Sequence, residues 1–145
     1  MALELDADLQ LVEGMEFAIT SGSGHKVTID ANVADGGQNR GATPMELILM
    51  GTAGCTAMDV ISILRKKRQE VAAYQVHIHG TRAPTHPMVF TDIRIEHVVS
   101  GHHVADEAVA RAIELSVTKY CGAHAMLSKT ATITTTYRIL EAPGE

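Results

Sequence analysis

Three observations predict an α+β fold for this chain. Short alternating segments with glycine-containing turns open it. A long apolar segment with a complete helix-start signal follows. The second half then returns to strand-forming sequence, interrupted by one amphipathic helix. The predicted order is β-β-β-α-β-β-α-β, mostly antiparallel, in a single domain covering residues 1–145.

Each element has a local reason. Residues 3–12, LELDADLQLV, alternate apolar and polar as a half-buried strand does, and Gly14 breaks the pattern. MEFAIT (15–20) and HKVTIDA (25–31) predict two more strands around the turn SGSG (21–24), which together make an antiparallel meander. ADGGQNRGA (34–42) has loop composition. Thr43, Pro44 and Glu46 then supply an N-cap, a proline at the first helical position and the acidic partner of a capping box. The helix should run from Pro44 to Arg68. Its apolar residues wrap almost the whole circumference, which predicts a helix buried at the centre of the fold. Gly51 and Gly54 each cost about 1 kcal/mol in a helix interior, so close approach of another backbone is expected there, for instance the same helix of a second subunit. Arg65, Lys66, Lys67 and Arg68 fall where the negative end of the helix dipole lies.

Residues 71–82 and 88–99 predict two strands joined through a turn with Pro84 and Pro87. Val89, Thr91, Ile93, Ile95 and His97 share one face of the second. A loop at 100–107 leads to a helix from Asp106 to Lys119, with Val109, Ala112, Ile113, Ser116 and Val117 as its apolar-facing stripe. Cys121 falls just past that helix, Gly122 is the expected C-cap, and HAMLSK adds a short helical turn. The β-branched run 130–139 predicts the last strand, and EAPGE a frayed tail.

Composition narrows the function classes. With no Trp, two Phe and three Tyr, the core must be aliphatic. A net charge of −5 argues against nucleic acid as a partner, because phosphate binding needs a concentrated basic face. The N-terminal MALELDADLQ lacks the basic and apolar regions of a secretory signal. The longest apolar segment contains Glu46, Thr52, Thr56 and Asp59, which reads against a membrane span. A cytoplasmic location is expected, where thiols are kept reduced. The only cysteines, Cys55 and Cys121, then read as free thiols, a transient redox pair or metal ligands.

Cys55 sits in a small-residue stretch, Gly51 to Ala57, that leaves room beside the sulfur. A cysteine in an apolar helix is commonly a packing residue, and a reactive one needs a nearby cation. Asp59, at i+4, shares its side of the helix and would raise the thiol pKa. The candidate cations upstream are Arg40, the only preceding arginine, together with His25 and Lys26. His124, three residues after Cys121, could serve either cysteine. A zinc set of Cys55, Cys121, His124 and His77 or His79 is conceivable on ligand type. No CxxC spacing supports it, so no metal and no cofactor is expected. Phosphate-loop, dinucleotide and Ser/His/Asp signatures are missing from the sequence.

Three pieces of the chain taken together resemble the OsmC/Ohr family (osmotically inducible protein C and organic hydroperoxide resistance proteins). They are the glycine-rich loop entering a proline-capped helix in GATPMELIL, the cysteine nine residues beyond Glu46 in TAGCTAMDV, and the second cysteine in KYCGAHAML ahead of a closing strand. The resemblance covers nearly the whole chain and is nearest to an uncharacterised branch with a PMEL helix start. It implies antiparallel sheets wrapped around long central helices of an intertwined homodimer. It also implies reduction of a small hydrophobic hydroperoxide in the oxidative stress response, with an external dithiol as reductant. By residue match Cys55 would be the peroxidatic cysteine and Cys121 the resolving one, with Arg40 and Glu46 as accessory residues. Met45 stands where the family's peroxidases carry a glutamate, and no arginine precedes Arg40. The other function open to such a chain is non-enzymatic: binding a small hydrophobic ligand, or sensing redox state, at the subunit interface.

Overall fold

The structure is a computed structural model that describes residues 3–143. The chain divides into two compact units, one ending at Ile48 and the other starting at Leu49.

The first unit holds a meander of β1 (Ala7–Glu13), β2 (Glu16–Ser21) and β3 (Lys26–Ile29), each antiparallel to the next. The first strand begins at Ala7 rather than at residue 3, and all of its residues are exposed. A single 3-10 turn, Val33–Asp35, follows β3 and ends on Gly36, whose φ of 91° only glycine adopts freely. At Gly37 a Cβ would lie 1.9 Å from the Ala31 carbonyl oxygen, so the second glycine is needed for close approach. Asp30 ties this loop down. Its buried carboxylate accepts the backbone N–H groups of Ala31, Gln38 and Arg40. Burial pushes its pKa up, but the three N–H bonds and the Arg40 charge together hold it below the usual value.

Helix α1 (Pro44–Lys66) starts as expected. The Thr43 N–H donates to Glu46 Oε1 at 2.9 Å and the Glu46 N–H donates to Thr43 Oγ1 at 3.3 Å, a closed capping box. α1 is not buried all round, as its apolar circumference predicted. Only Thr52, Thr56, Val60 and Leu64 are buried, a single i,i+4 stripe, while Met50 and Met58 are 54% and 74% exposed. A Cβ built on Gly51 or Gly54 meets nothing within 4 Å, so within one chain no backbone approaches them. By length and composition α1 is apolar enough to cross a membrane, with 22% of that stretch buried. The helix stops two residues before Arg68, which takes a left-handed φ of 58°.

The second unit adds β4 (Glu70–Arg82), β5 (Phe90–His102), α2 (Asp106–Leu115), α3 (Gly122–Leu127) and β6 (Thr132–Glu141). The sheet order is β4-β5-β6, with β4 and β5 antiparallel. Unlike the other pairings, β6 runs parallel to β5. The helical crossover between them returns the chain to the sheet in the same direction. On β5 the buried face is Ile93, Ile95, His97 and Val99, as alternation predicted. At the strand's start, however, Phe90 is buried and Thr91 exposed. A register shift between Thr81 and Arg82 gives β5 one extra residue there, which reverses the faces. The core packs Val60 and Leu64 of α1 with Val99 of β5 and Ala108, Val109, Ala112 and Ile113 of α2.

The second helix also departs from its predicted form. Regular α-helix ends at Leu115, and Ser116–Tyr120 forms a π-turn closed by the Cys121 N–H on the Ser116 carbonyl at 2.8 Å. Cys121 is extended (φ −80°, ψ 101°), and Gly122 opens α3 instead of closing the preceding helix.

Candidate thiol site

The second unit builds the site from three elements. The small-residue middle of α1 presents Cys55 and, one turn on, Asp59. The start of the π-turn presents Ser116. The extended residue between that turn and α3 presents Cys121. The wide turn is a local irregularity of the kind that often marks functional sites.

Cys55 Sγ, Cys121 Sγ and a carboxylate oxygen of Asp59 all lie within 4.8 Å of one another. Both cysteines are free thiols; Cys55 is half-buried and Cys121 is 3% exposed. A hydroxyl relay underlies them. The Ser116 hydroxyl donates to Asp59 Oδ2 at 2.9 Å, and Thr56 Oγ1 lies 2.8 Å from Ser116 Oγ, so Thr56 is the donor to Ser116. Cys121 Sγ caps α3 by accepting the His124 N–H at 3.3 Å. Burial pushes the Cys121 thiol up to about 11. The His124 N–H bond opposes that shift, and Cys55 and Asp59 reinforce it.

On the sheet of the same unit, Tyr74 on β4 and His97 on β5 share a hydrogen bond of 2.6 Å and stack with ring centroids 5.9 Å apart. Burial, then the charge of Asp59, pushes the Tyr74 phenol up, and burial alone holds His97 down at about 4. Asp59 also lines an open cavity of ≈ 470 Å³ with Met58, Ser62, Ile63, Leu115 and Tyr120.

The two expected cysteines therefore meet, although 65 residues separate them. Among the described residues, the group that converges is not the zinc set conceivable on ligand type. The group whose ligand atoms converge contains Asp59 in place of histidine, and His124 contributes its backbone N–H to Cys121. His77 lines a different pocket with Arg94, Ile95 and Thr134. Cys55, Asp59 and Cys121 offer three ligand atoms, one fewer than a closed structural zinc site uses.

The family model described as OsmC-like protein matches residues 36–136, well over half of the chain. The chain belongs to the OsmC-like family. It is 40% identical over 138 residues to Protein YhfA of Escherichia coli, a match covering 95% of this chain and all of that one. Among solved structures, a hypothetical protein from Aquifex aeolicus superposes with a TM-score of 0.86 at 28% identity, covering 98% of this chain and 100% of that one. An organic hydroperoxide resistance protein OsmC from Legionella pneumophila gives a TM-score of 0.71 at 11% identity, covering 94% and 98%. At that identity the likeness shows a shared fold.

Two further residues expected in an OsmC-like site lie in the first unit. Arg40 directs its guanidinium to Glu13 Oε2 at 3.5 Å and Glu16 Oε1 at 3.4 Å. Glu46 accepts the Thr43 N–H, a bond that also holds its carboxyl below the usual value. Ser116, Thr56, Tyr74 and His97 were not singled out as site residues from sequence. The one available signal was a serine inside the apolar stripe of α2, where a buried hydroxyl needs a partner.

Proposed function

We propose that this OsmC-like protein reduces organic hydroperoxides through Cys55 and Cys121. The observation that carries the proposal is the approach of the two sulfurs to within 4.8 Å, with Cys55 the more accessible. In this scheme the Cys55 thiolate attacks the peroxide O–O bond, the alcohol leaves, and a sulfenic acid remains on Cys55. Cys121 condenses with it to a disulfide, and an external dithiol restores both thiols. Arg40 and Glu46 are accessory residues in this scheme on the family resemblance alone; in the first unit Arg40 pairs with Glu13 and Glu16, and Glu46 closes the capping box with Thr43. A redox or peroxide-related role is supported by the family, and the Legionella pneumophila relative is named for organic hydroperoxide resistance. The scheme includes a homodimer in the cytoplasm. The exposed Met50 and Met58 of α1, and Leu9 and Leu11 of the fully exposed β1, are apolar surface that a second copy would cover.

A second function is favoured by one observation: neither cysteine lines the ≈ 470 Å³ cavity beside Asp59. A non-enzymatic OsmC-like protein would hold a small apolar ligand there.

Peroxide consumption with a dithiol reductant, comparing cumene hydroperoxide with hydrogen peroxide, separates the two. The expected result is faster turnover of cumene hydroperoxide, abolished in Cys55→Ser, with sulfenic acid accumulating in Cys121→Ser. Unchanged turnover in Cys55→Ser refutes the assigned chemistry. Saturable binding of an apolar ligand without turnover establishes the second function instead.

A further inference from the structure

Peroxidase chemistry through two thiols leaves Asp59 without a task, although its placement is specific. Its carboxylate is the third member of the group whose atoms lie within 4.8 Å of one another. One oxygen, Oδ2, is fixed by the Ser116 hydroxyl at 2.9 Å, itself supported by Thr56. It also lines the ≈ 470 Å³ cavity, and like Cys55 it is only half-buried, whereas Cys121 is buried. A solvated surface charge would not be braced by a buried serine. A negative charge here opposes thiolate formation, since Asp59 helps to raise the Cys121 thiol. Such a carboxylate beside two nucleophiles is a liability unless it handles a proton.

We propose that Asp59 is a catalytic residue of the disulfide-forming step, carrying the proton of the Cys121 thiol to the hydroxyl that leaves Cys55. This rests on the peroxidase function proposed above. In that step Cys55–S–OH and H–S–Cys121 give Cys55–S–S–Cys121 and water. A Cys121 sulfur electron pair forms the S–S bond while the S–O bond breaks and its pair leaves with oxygen. The Cys121 sulfur is oxidised and the sulfenyl sulfur reduced, and the proton released by Cys121 ends on the departing hydroxyl. Asp59 lies within 4.8 Å of both sulfurs, a gap closed by small side-chain movement or by one water. The carboxylate moves the proton without a free thiolate or a free hydroxide forming. That matters because the buried Cys121 thiol, pushed up to about 11, supplies almost no thiolate at neutral pH.

The titratable groups facing Asp59 are the two cysteines, Tyr74 on β4, and Lys66, Lys67 and Tyr120 around the cavity.

The test mixes reduced full-length protein with one equivalent of cumene hydroperoxide. It follows sulfenic acid with a dimedone probe and disulfide by mass. Asp59→Asn should form sulfenic acid at least as fast as wild type and close the disulfide about 100-fold more slowly or worse. The wild-type closure rate should be flat from about pH 6 to 8, while the Asn variant rises about tenfold per pH unit as free thiolate takes over. Asp59→Glu, which keeps the proton acceptor, should recover most of the closure rate. An Asn variant that closes at the wild-type rate and with its pH profile overturns the proposal. So does a folded Glu variant as slow as the Asn variant. Cys121→Ser protein that yields no sulfenic acid, together with wild-type protein that forms no disulfide, overturns the peroxidase function, and this proposal with it.

Discussion

Acid should weaken this protein through His97. The side chain is 0% exposed on β5, its Nδ1 lies 2.6 Å from the Tyr74 hydroxyl oxygen, and its Nε2 has no hydrogen-bond partner among the described residues. The Tyr74 phenol is pushed up by burial and by Asp59, so it keeps its proton and donates it to Nδ1. The neutral imidazole then carries its own hydrogen on Nε2. Burial holds the folded-state pKa at about 4 against an ordinary 6.5. Between those values the unfolded chain binds a proton that the folded chain refuses, so stability falls as pH falls. Across the whole window the loss is about 3 kcal/mol, taking about 1.4 kcal/mol per pH unit. That is a large share of the stability of a typical domain.

Urea denaturation at about pH 7.5, 5.5 and 4.5 measures the effect in wild type and in His97→Gln. The variant should be less stable at neutral pH by about 1–3 kcal/mol, because it disturbs the bond to a buried phenol. From there down to pH 4.5 it should lose less stability than wild type, since it has no imidazole to charge. His124, also lowered by burial, titrates in both proteins and cancels in the comparison. Asp30, held below its usual value, loses its contribution only at lower pH and cancels too. Parallel stability curves for the two proteins would refute the argument.

Two other outcomes accompany the tests of Cys55 and Asp59 given above. Arg68 ends α1 with a φ of 58°, a conformation that costs a residue with a Cβ about 1 kcal/mol. Arg68→Gly should therefore raise stability by about 0.5–1 kcal/mol in chemical denaturation, and a loss of stability contradicts the assigned strain. In reduced protein, alkylation of Cys121 by iodoacetamide should still be climbing about tenfold per pH unit between pH 8 and 10, because only about one thiol in a thousand is ionised at pH 8 when the pKa is near 11. A plateau below pH 9, read by mass of the Cys121 peptide, rules out that assignment.

The sequence by itself determined the elements whose causes are local. The Thr43–Glu46 capping box formed as the spacing S/T-x-x-E required, because its partners lie within one helical turn. The α+β class and the strand order followed from alternation and turn residues within short windows. Cys55 and Cys121 were legible as a pair through their flanking segments, and the family match agrees with those segments.

What only tertiary structure decided depends on contacts between distant segments. The parallel pairing of β6 with β5 requires the crossover between them to return across the sheet, which no local pattern specifies. A one-residue bulge exchanged Phe90 for Thr91 on the buried face, because strand faces alternate with every residue. Apolar periodicity on α1 predicted burial all round, yet within one chain the partners cover a single stripe. Periodicity records that a face is apolar, not what covers it. Asp59 showed the same limit. From sequence it was a charge one helical turn from Cys55. Its bond to Ser116 and its closeness to Cys121 arise only when the π-turn brings those residues to α1, 57 residues away for Ser116.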